Sequence, residues 1–226
     1  MKRLACVLLA LLAALCLGGC SQEEQADPYA GVPNPIATIT LADGRVMRAE
    51  LYLSQAPNTV ANFTQLANEG FYDGQEFFRV VAGAFVQTGD PLGNGTGGPG
   101  YSIRGEFSEN GFEGNTLSHT RGVLSMARTQ DYDSAGSQFF IMQGSYPEYD
   151  GYYAAFGKLM DDESLETLDA IATLRTDSNY RPLVITKIET IRVDTQGYTF
   201  PVIKIEPEET APSASPTAEP MEGADA

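Results

Sequence analysis

The chain has 226 residues, 42% of them hydrophobic, which suits one ordinary domain with a real core and excludes both a globally disordered chain and two large domains. Its 30 acidic residues against 14 basic ones give a net charge of −16, which repels nucleic acid and gains no electrostatic hold on anionic lipid. Its three cysteines are Cys6, Cys16 and Cys20 and its one histidine is His119, so the body of the chain carries no disulfide, no Cys-based or clustered-His metal site and little material for Ser-His or Cys-His catalysis; no cofactor is expected.

The N-terminus reads as a secretory signal over residues 1–19: Lys2 and Arg3 precede an apolar run over residues 4–17. That run is shorter than the roughly 20 residues a membrane-spanning helix needs. It ends in Leu17-Gly18-Gly19-Cys20, which resembles the lipobox of bacterial lipoproteins. The resemblance implies cleavage before Cys20, a diacylglyceryl group on its sulfur, and a chain lipid-anchored on the extracytoplasmic face of the cell membrane. The rival is an ordinary secretory signal with a chance cysteine. Residues 20–33 are polar and proline-bearing and read as a flexible tether. Residues 207–226 are rich in Pro, Ala, Ser, Thr and Glu, have almost nothing to bury, and read as a disordered acidic tail. The folded domain is expected over residues 34–206.

Within it, the β-branched alternation over Ile36–Leu41, the turn pair Asp43-Gly44, and residues 46–53 predict a hairpin. Pro57 opens a helix with Val60, Phe63 and Leu66 at helical spacing and Gly70 as its natural end. Residues 76–88 predict one or two buried strands, and the glycine-dense residues 89–105 a loop. Further strands are expected over 117–128, 137–143 and 154–158. A second helix is expected over 163–172, with Leu165, Leu168 and Ile171 on one face, and a closing strand over 182–193. Many short strands with only two helices suggest a mainly β chain, a closed antiparallel barrel capped by helices.

Three stretches carry the chemistry. They are residues 77–91 (FFRVVAGAFVQTGDP), 95–101 (GTGGPGY) and 122–141 with GVLSMAR and SAGSQFFI at its ends. In this order, with a helix on each side, they resemble the cyclophilin family over residues 34–193. The resemblance implies an eight-stranded antiparallel barrel with two capping helices and an active site on its outer face. It implies peptidyl-prolyl cis/trans isomerase activity on proline-containing polypeptide clients, by a monomer. By position, Arg79 matches the catalytic arginine and Gln87 the glutamine that orients the substrate backbone. Phe85, Phe140 and Tyr149 match the proline pocket, Ala127 and Arg128 the segment that pairs with substrate main chain, and Gln138 a second polar position. Tyr153 falls where members carry histidine or tyrosine. The residue types suit the reaction: amide rotation breaks no bond, so it needs neither nucleophile nor metal. A fixed guanidinium near the prolyl nitrogen binds the twisted state better than the planar one.

Some positions depart from the pattern. Ala84 stands where a pocket-floor phenylalanine is usual, which widens the pocket unless a neighbour fills it. Phe78 replaces a histidine and should face away from the groove. Residues 129–134 are about one residue longer than the common form, and Glu148 falls near the place of a tryptophan in a chain with none. The glycines Gly93, Gly95 and Gly98 spell a dinucleotide-binding pattern, but Pro99-Gly100 follows where a helix would have to start. His119 reads as structural. The alternative to an isomerase is a proline-peptide-binding or chaperone module with little catalysis, motivated by Ala84. A solute-binding lipoprotein would need two lobes and alternating strands and helices, which the chain lacks.

Overall fold

In the computed structural model, which describes residues 29–207, the expected hairpin forms. Strand β1 (Ile36–Leu41) returns as β2 (Val46–Leu51), and Asp43 fastens the turn by accepting from the Arg45 N–H at 3.1 Å and its guanidinium at 2.6 and 2.9 Å. There follow α1 (Pro57–Asn68), β3 (Arg79–Val81), β4 (Phe85–Thr88), β5 (Val123–Met126), β6 (Phe139–Met142), β7 (Ala155–Leu159), α2 (Asp162–Ala172) and β8 (Ile188–Asp194). All belong to the compact unit that begins at Gly31. The signal, Cys20, most of the tether and residues 208–226 lie outside the described residues.

Helix α1 has Pro57 in its first turn but no side-chain cap at Ala56. Its orphan N–H groups are instead met from a distant loop. The Glu106 carboxylate accepts from Asn58 N–H at 2.9 Å, and from Thr59 N–H and Oγ1 at 2.7 Å each. Burial raises the carboxyl's pKa, against the pull of those bonds. Replacing Glu106 by Ala strands buried donors at the helix start. We expect Glu106→Ala to lower unfolding free energy by about 1–3 kcal/mol in a urea titration. Helix α2 is capped locally, Asp161 accepting from Ser164 N–H at 2.8 Å, and the Ser164 hydroxyl accepts from Arg48 N–H of β2 at 2.8 Å.

The eight strands make one antiparallel sheet in the order β3-β4-β6-β5-β7-β2-β1-β8. Its inner face and α1 enclose the core, where Phe63 meets Tyr72, Phe139 and Phe156 at ring distances of 5.2–5.4 Å. Closure differs from expectation. The end strands β3 and β8 form no ladder with each other, so the sheet is a curled half-barrel with two edges. A single bridge, Glu76 to Lys187, spans the seam just ahead of both strands, beside hydrogen bonds from Phe77 N–H to Thr186 O and from Ile188 N–H to Gln75 O.

Two strands are shorter than their apolar patterns predict. Over 117–122 the chain turns aside to other partners, His119 N–H donating to the Asp150 carboxylate at 2.7 Å rather than to a ladder. Before β8, Leu183 and Val184 are exposed, so that apolar run does not face the core.

Candidate active site

Cross-strand pairing explains how distant residues reach one place. Arg79 is opposite Gln87, Gln87 opposite Phe140, Phe140 opposite Ser125, and Ser125 opposite Ala155. Opposed residues share a face, so five strands set one row across the outer face of the sheet. The neighbouring row, Val80, Val86, Ile141 and Leu124, points into the core and is fully buried. The turn between β3 and β4 needs Gly83, at φ 81°, in the left-handed region. Gly89, just past β4, packs where a Cβ would lie 2.3 Å from the Ser137 carbonyl oxygen, which draws the glycine loop against the start of β6.

Along the row runs a polar relay. Arg79 Nη1 donates to Gln87 Oε1 at 3.2 Å, and Gln87 Nε2 donates to Gln138 Oε1 at 3.0 Å. Gln138 Nε2 donates to the carbonyls of Gly95 and Gly97 at 3.1 and 2.9 Å. The loop is pinned by Asp90, which is buried and accepts from the N–H groups of Leu92 at 2.8 Å, Asn94 at 2.9 Å and Gly95. The glycine loop thus wraps a carboxylate of its own, which accounts for its glycines without a nucleotide.

Beside the relay lies an aromatic platform. The Arg79 guanidinium sits 5.1 Å from the Phe85 ring centroid, close enough for a cation–π contact. Phe85 meets Phe140 at 5.3 Å, and Phe140 meets Tyr149 and Tyr153 at 6.1 and 5.7 Å. Ala84 belongs to this cluster and is only 4% exposed. Phe85 belongs to the same buried cluster, and Tyr146 and Tyr149 pack against that cluster, Tyr146 stacking on Tyr149 at 5.6 Å. Phe78 is buried, off the groove. The Arg128 side chain is fully engaged, donating to Tyr152 O at 2.8 and 2.9 Å and to Thr129 O at 2.8 Å, and lying 4.6–5.2 Å from the rings of Tyr153, Tyr132 and Phe107. Arg128 and Ala127 line a groove of about 1020 Å³, which Gln87 and Gln138 also line.

Spacing in the sequence gave no sign of the support beneath Phe140. His119 is buried and stacks on it at 6.2 Å, fixed by Ser125 Oγ at its Nε2 and Asp150 Oδ1 at its Nδ1, both at 2.9 Å. Asp150 lies 31 residues from His119 in the chain, so only the fold brings it to the imidazole. Burial holds the imidazole below its ordinary pKa, against the opposing pull of Asp150. The folded chain therefore binds this proton less readily than the unfolded one. The stability it contributes is full above about pH 6.5 and falls as pH drops below that value. Burial pushes the Asp150 carboxyl up, but hydrogen bonds from His119 and Ser118 outweigh it and leave the group below its ordinary value. Its contribution is lost only as pH falls below about 4, outside the histidine window. We expect unfolding free energy to decline between pH 7 and 5.5 more steeply in the wild type than in His119→Gln, measured by urea titration.

The outer face thus brings together an exposed arginine, an aromatic platform, a relay of amides and an adjoining groove. Residues 36–193 match the family model described as cyclophilin type peptidyl-prolyl cis-trans isomerase/CLD, and the chain belongs to that family. It is 50% identical over 119 residues to peptidyl-prolyl cis-trans isomerase B of Bacillus subtilis (strain 168), covering 53% of this chain and 79% of that one. It is 44% identical over 135 residues to a peptidyl-prolyl cis-trans isomerase of Helicobacter pylori (strain ATCC 700392 / 26695), covering 60% and 78%. Among solved structures, a cyclophilin type isomerase of Cryptosporidium parvum superposes with a TM-score of 0.61 at 32% identity, covering 71% of this chain and 98% of that one. The same protein solved in the presence of the dipeptide Ala-Pro gives 0.60 at 32% identity, covering 70% and 98%.

Proposed function

We propose that the chain accelerates rotation about X-Pro bonds in exported polypeptides, and that it works on the outer side of a membrane, tethered by lipid at Cys20. The observation that carries the isomerase reading is the single row joining Arg79, Gln87 and Phe140. The pyrrolidine ring of the substrate packs on Phe140 between Phe85 and Tyr149. The substrate main chain lies along Ala127 and Arg128, and Gln87 and Gln138 orient its carbonyls. Arg79 then faces the prolyl nitrogen. As the bond twists, that nitrogen loses its delocalisation and becomes a better acceptor, so the guanidinium binds the twisted state more strongly than either planar one. Lowering the barrier by about 7 kcal/mol corresponds to roughly 10⁵-fold acceleration. An Ala-Pro peptide is the natural probe, and a protease-coupled assay reads the rate; a chain that leaves the uncatalysed rate unchanged overturns the reading.

The second reading, a proline-peptide holder with little catalysis, was motivated by Ala84. The burial of that residue within the aromatic cluster favours the enzyme. Adding a ring there overpacks the cluster, a change that costs about 1–3 kcal/mol. We expect Ala84→Phe to lower the melting temperature and leave kcat/KM no higher than wild type. A markedly faster variant would restore the holder reading.

The tether reading rests on the lipobox-like Leu17-Gly18-Gly19-Cys20. Radiolabelled palmitate should enter the wild type and not Cys20→Ala, and the variant should leave the membrane fraction.

A further inference from the structure

The chain beyond β8 does not leave the domain at once. Asn58 on α1 clamps Ile203 at both main-chain groups, accepting from its N–H at 2.7 Å and donating to its carbonyl at 2.9 Å. The Lys204 ammonium stands 4.1 Å from the Tyr101 ring centroid. Ile205 and Ser102 exchange both N–H···O bonds, at 2.7 and 3.0 Å, as an antiparallel pair. These contacts hand the chain to the rim of the peptide groove. There Ile205, Glu206 and Pro207 line the groove together with Gln87, Ala127 and Gln138.

We propose that the groove's resident ligand is the chain's own C-terminal segment, residues 208–226, with Ala211-Pro212 as the first X-Pro unit it presents. This rests on the isomerase reading of the same groove. Three observations choose this occupant. The described chain ends on the groove wall, so the segment starts where a substrate would lie. From Pro207 to Pro212 is five residues, which reach at most about 18 Å, whereas a groove of about 1020 Å³ is only about 10 Å on a side. The segment also carries X-Pro units at Ala211-Pro212, Ser215-Pro216 and Glu219-Pro220. Attachment gives such a segment an effective concentration in the millimolar range, and a client peptide must displace it. The segment thus raises the KM for clients and leaves kcat unchanged, because once displaced it no longer touches Arg79.

The test compares the full chain, the chain ended after Pro207, and full chain carrying Pro212→Ala, Pro216→Ala and Pro220→Ala, with an Ala-Pro peptide as client. Ending after Pro207 keeps the Ile205–Ser102 pair. The triple variant keeps length and charge. We expect both altered chains to show a KM about three-fold lower or less still, with kcat unchanged, and amide shifts at Ala127 and Gln138 in ¹H–¹⁵N spectra. Equal KM in all three chains overturns the proposal. So does a lower KM on truncation alone, which removes X-Pro recognition from the explanation, or a KM that rises with protein concentration, which assigns the ligand to a second copy. If none of the chains catalyses, the isomerase reading fails by itself. The spectra then decide occupancy: Ala127 and Gln138 shifts in both altered chains support it, and unchanged amides overturn it.

Discussion

Arg79→Ala should lower kcat/KM for an Ala-Pro peptide by about 10²–10³-fold, the range found when one preorganised donor to a developing charge is removed. Fold stability should stay within about 0.5 kcal/mol of wild type, because the side chain is exposed and is not part of the core. The substitution takes away one hydrogen bond to Gln87 and one cation–π contact to Phe85, both at the outer face. Gln87 keeps its bond to Gln138, so the amide relay stays anchored to the glycine loop. A protease-coupled assay and a urea titration on the same preparation separate the two quantities. Arg79→Lys should recover little: an ammonium keeps the charge but lacks the planar fork that reaches Gln87 and the prolyl nitrogen together.

Phe140→Ala should have the second large effect, and on both quantities. The ring is 4% exposed, is touched by Phe85, Tyr149 and Tyr153 on the groove side, and is supported by His119 from below. Its removal opens a cavity, and Phe→Ala changes in cores cost about 3–5 kcal/mol. Phe140→Leu refills most of that volume and should be far milder in stability. It removes the flat face on which a pyrrolidine ring packs, so its activity should still fall clearly. A Phe140→Leu chain as active as wild type would show that the platform only supports the fold.

Much of this was legible in the residues. Asp43-Gly44 marked the first hairpin, Pro57 the start of α1, and the apolar, aromatic stretch 76–88 one or two buried strands. Local chemistry decides those features, so a single sequence carries them. The motif resemblance also placed Arg79, Gln87 and Phe140, which pairing then put in one row. What could not be read depends on which strands become neighbours. The open seam is one such case. Nothing in three residues of β3 says whether they meet β8, and the bridge between Glu76 and Lys187 lies outside both strands. Another is Glu106, a loop carboxylate that caps a helix begun about fifty residues earlier in the chain. The cluster that buries Ala84 is a third, because Tyr146 and Tyr149 pack against it from a different segment.

The most direct test of catalysis, as distinct from binding, is two-dimensional exchange NMR on an Ala-Pro peptide at equilibrium with a small fraction of the full chain. Unaided, the two isomers interchange over tens to hundreds of seconds, too slowly to give cross-peaks between them. The account predicts strong cis–trans cross-peaks with the wild type and their loss with Arg79→Ala. Peptide resonances that shift or broaden with the wild type, with no exchange between isomers, would contradict it and leave a groove that only holds proline.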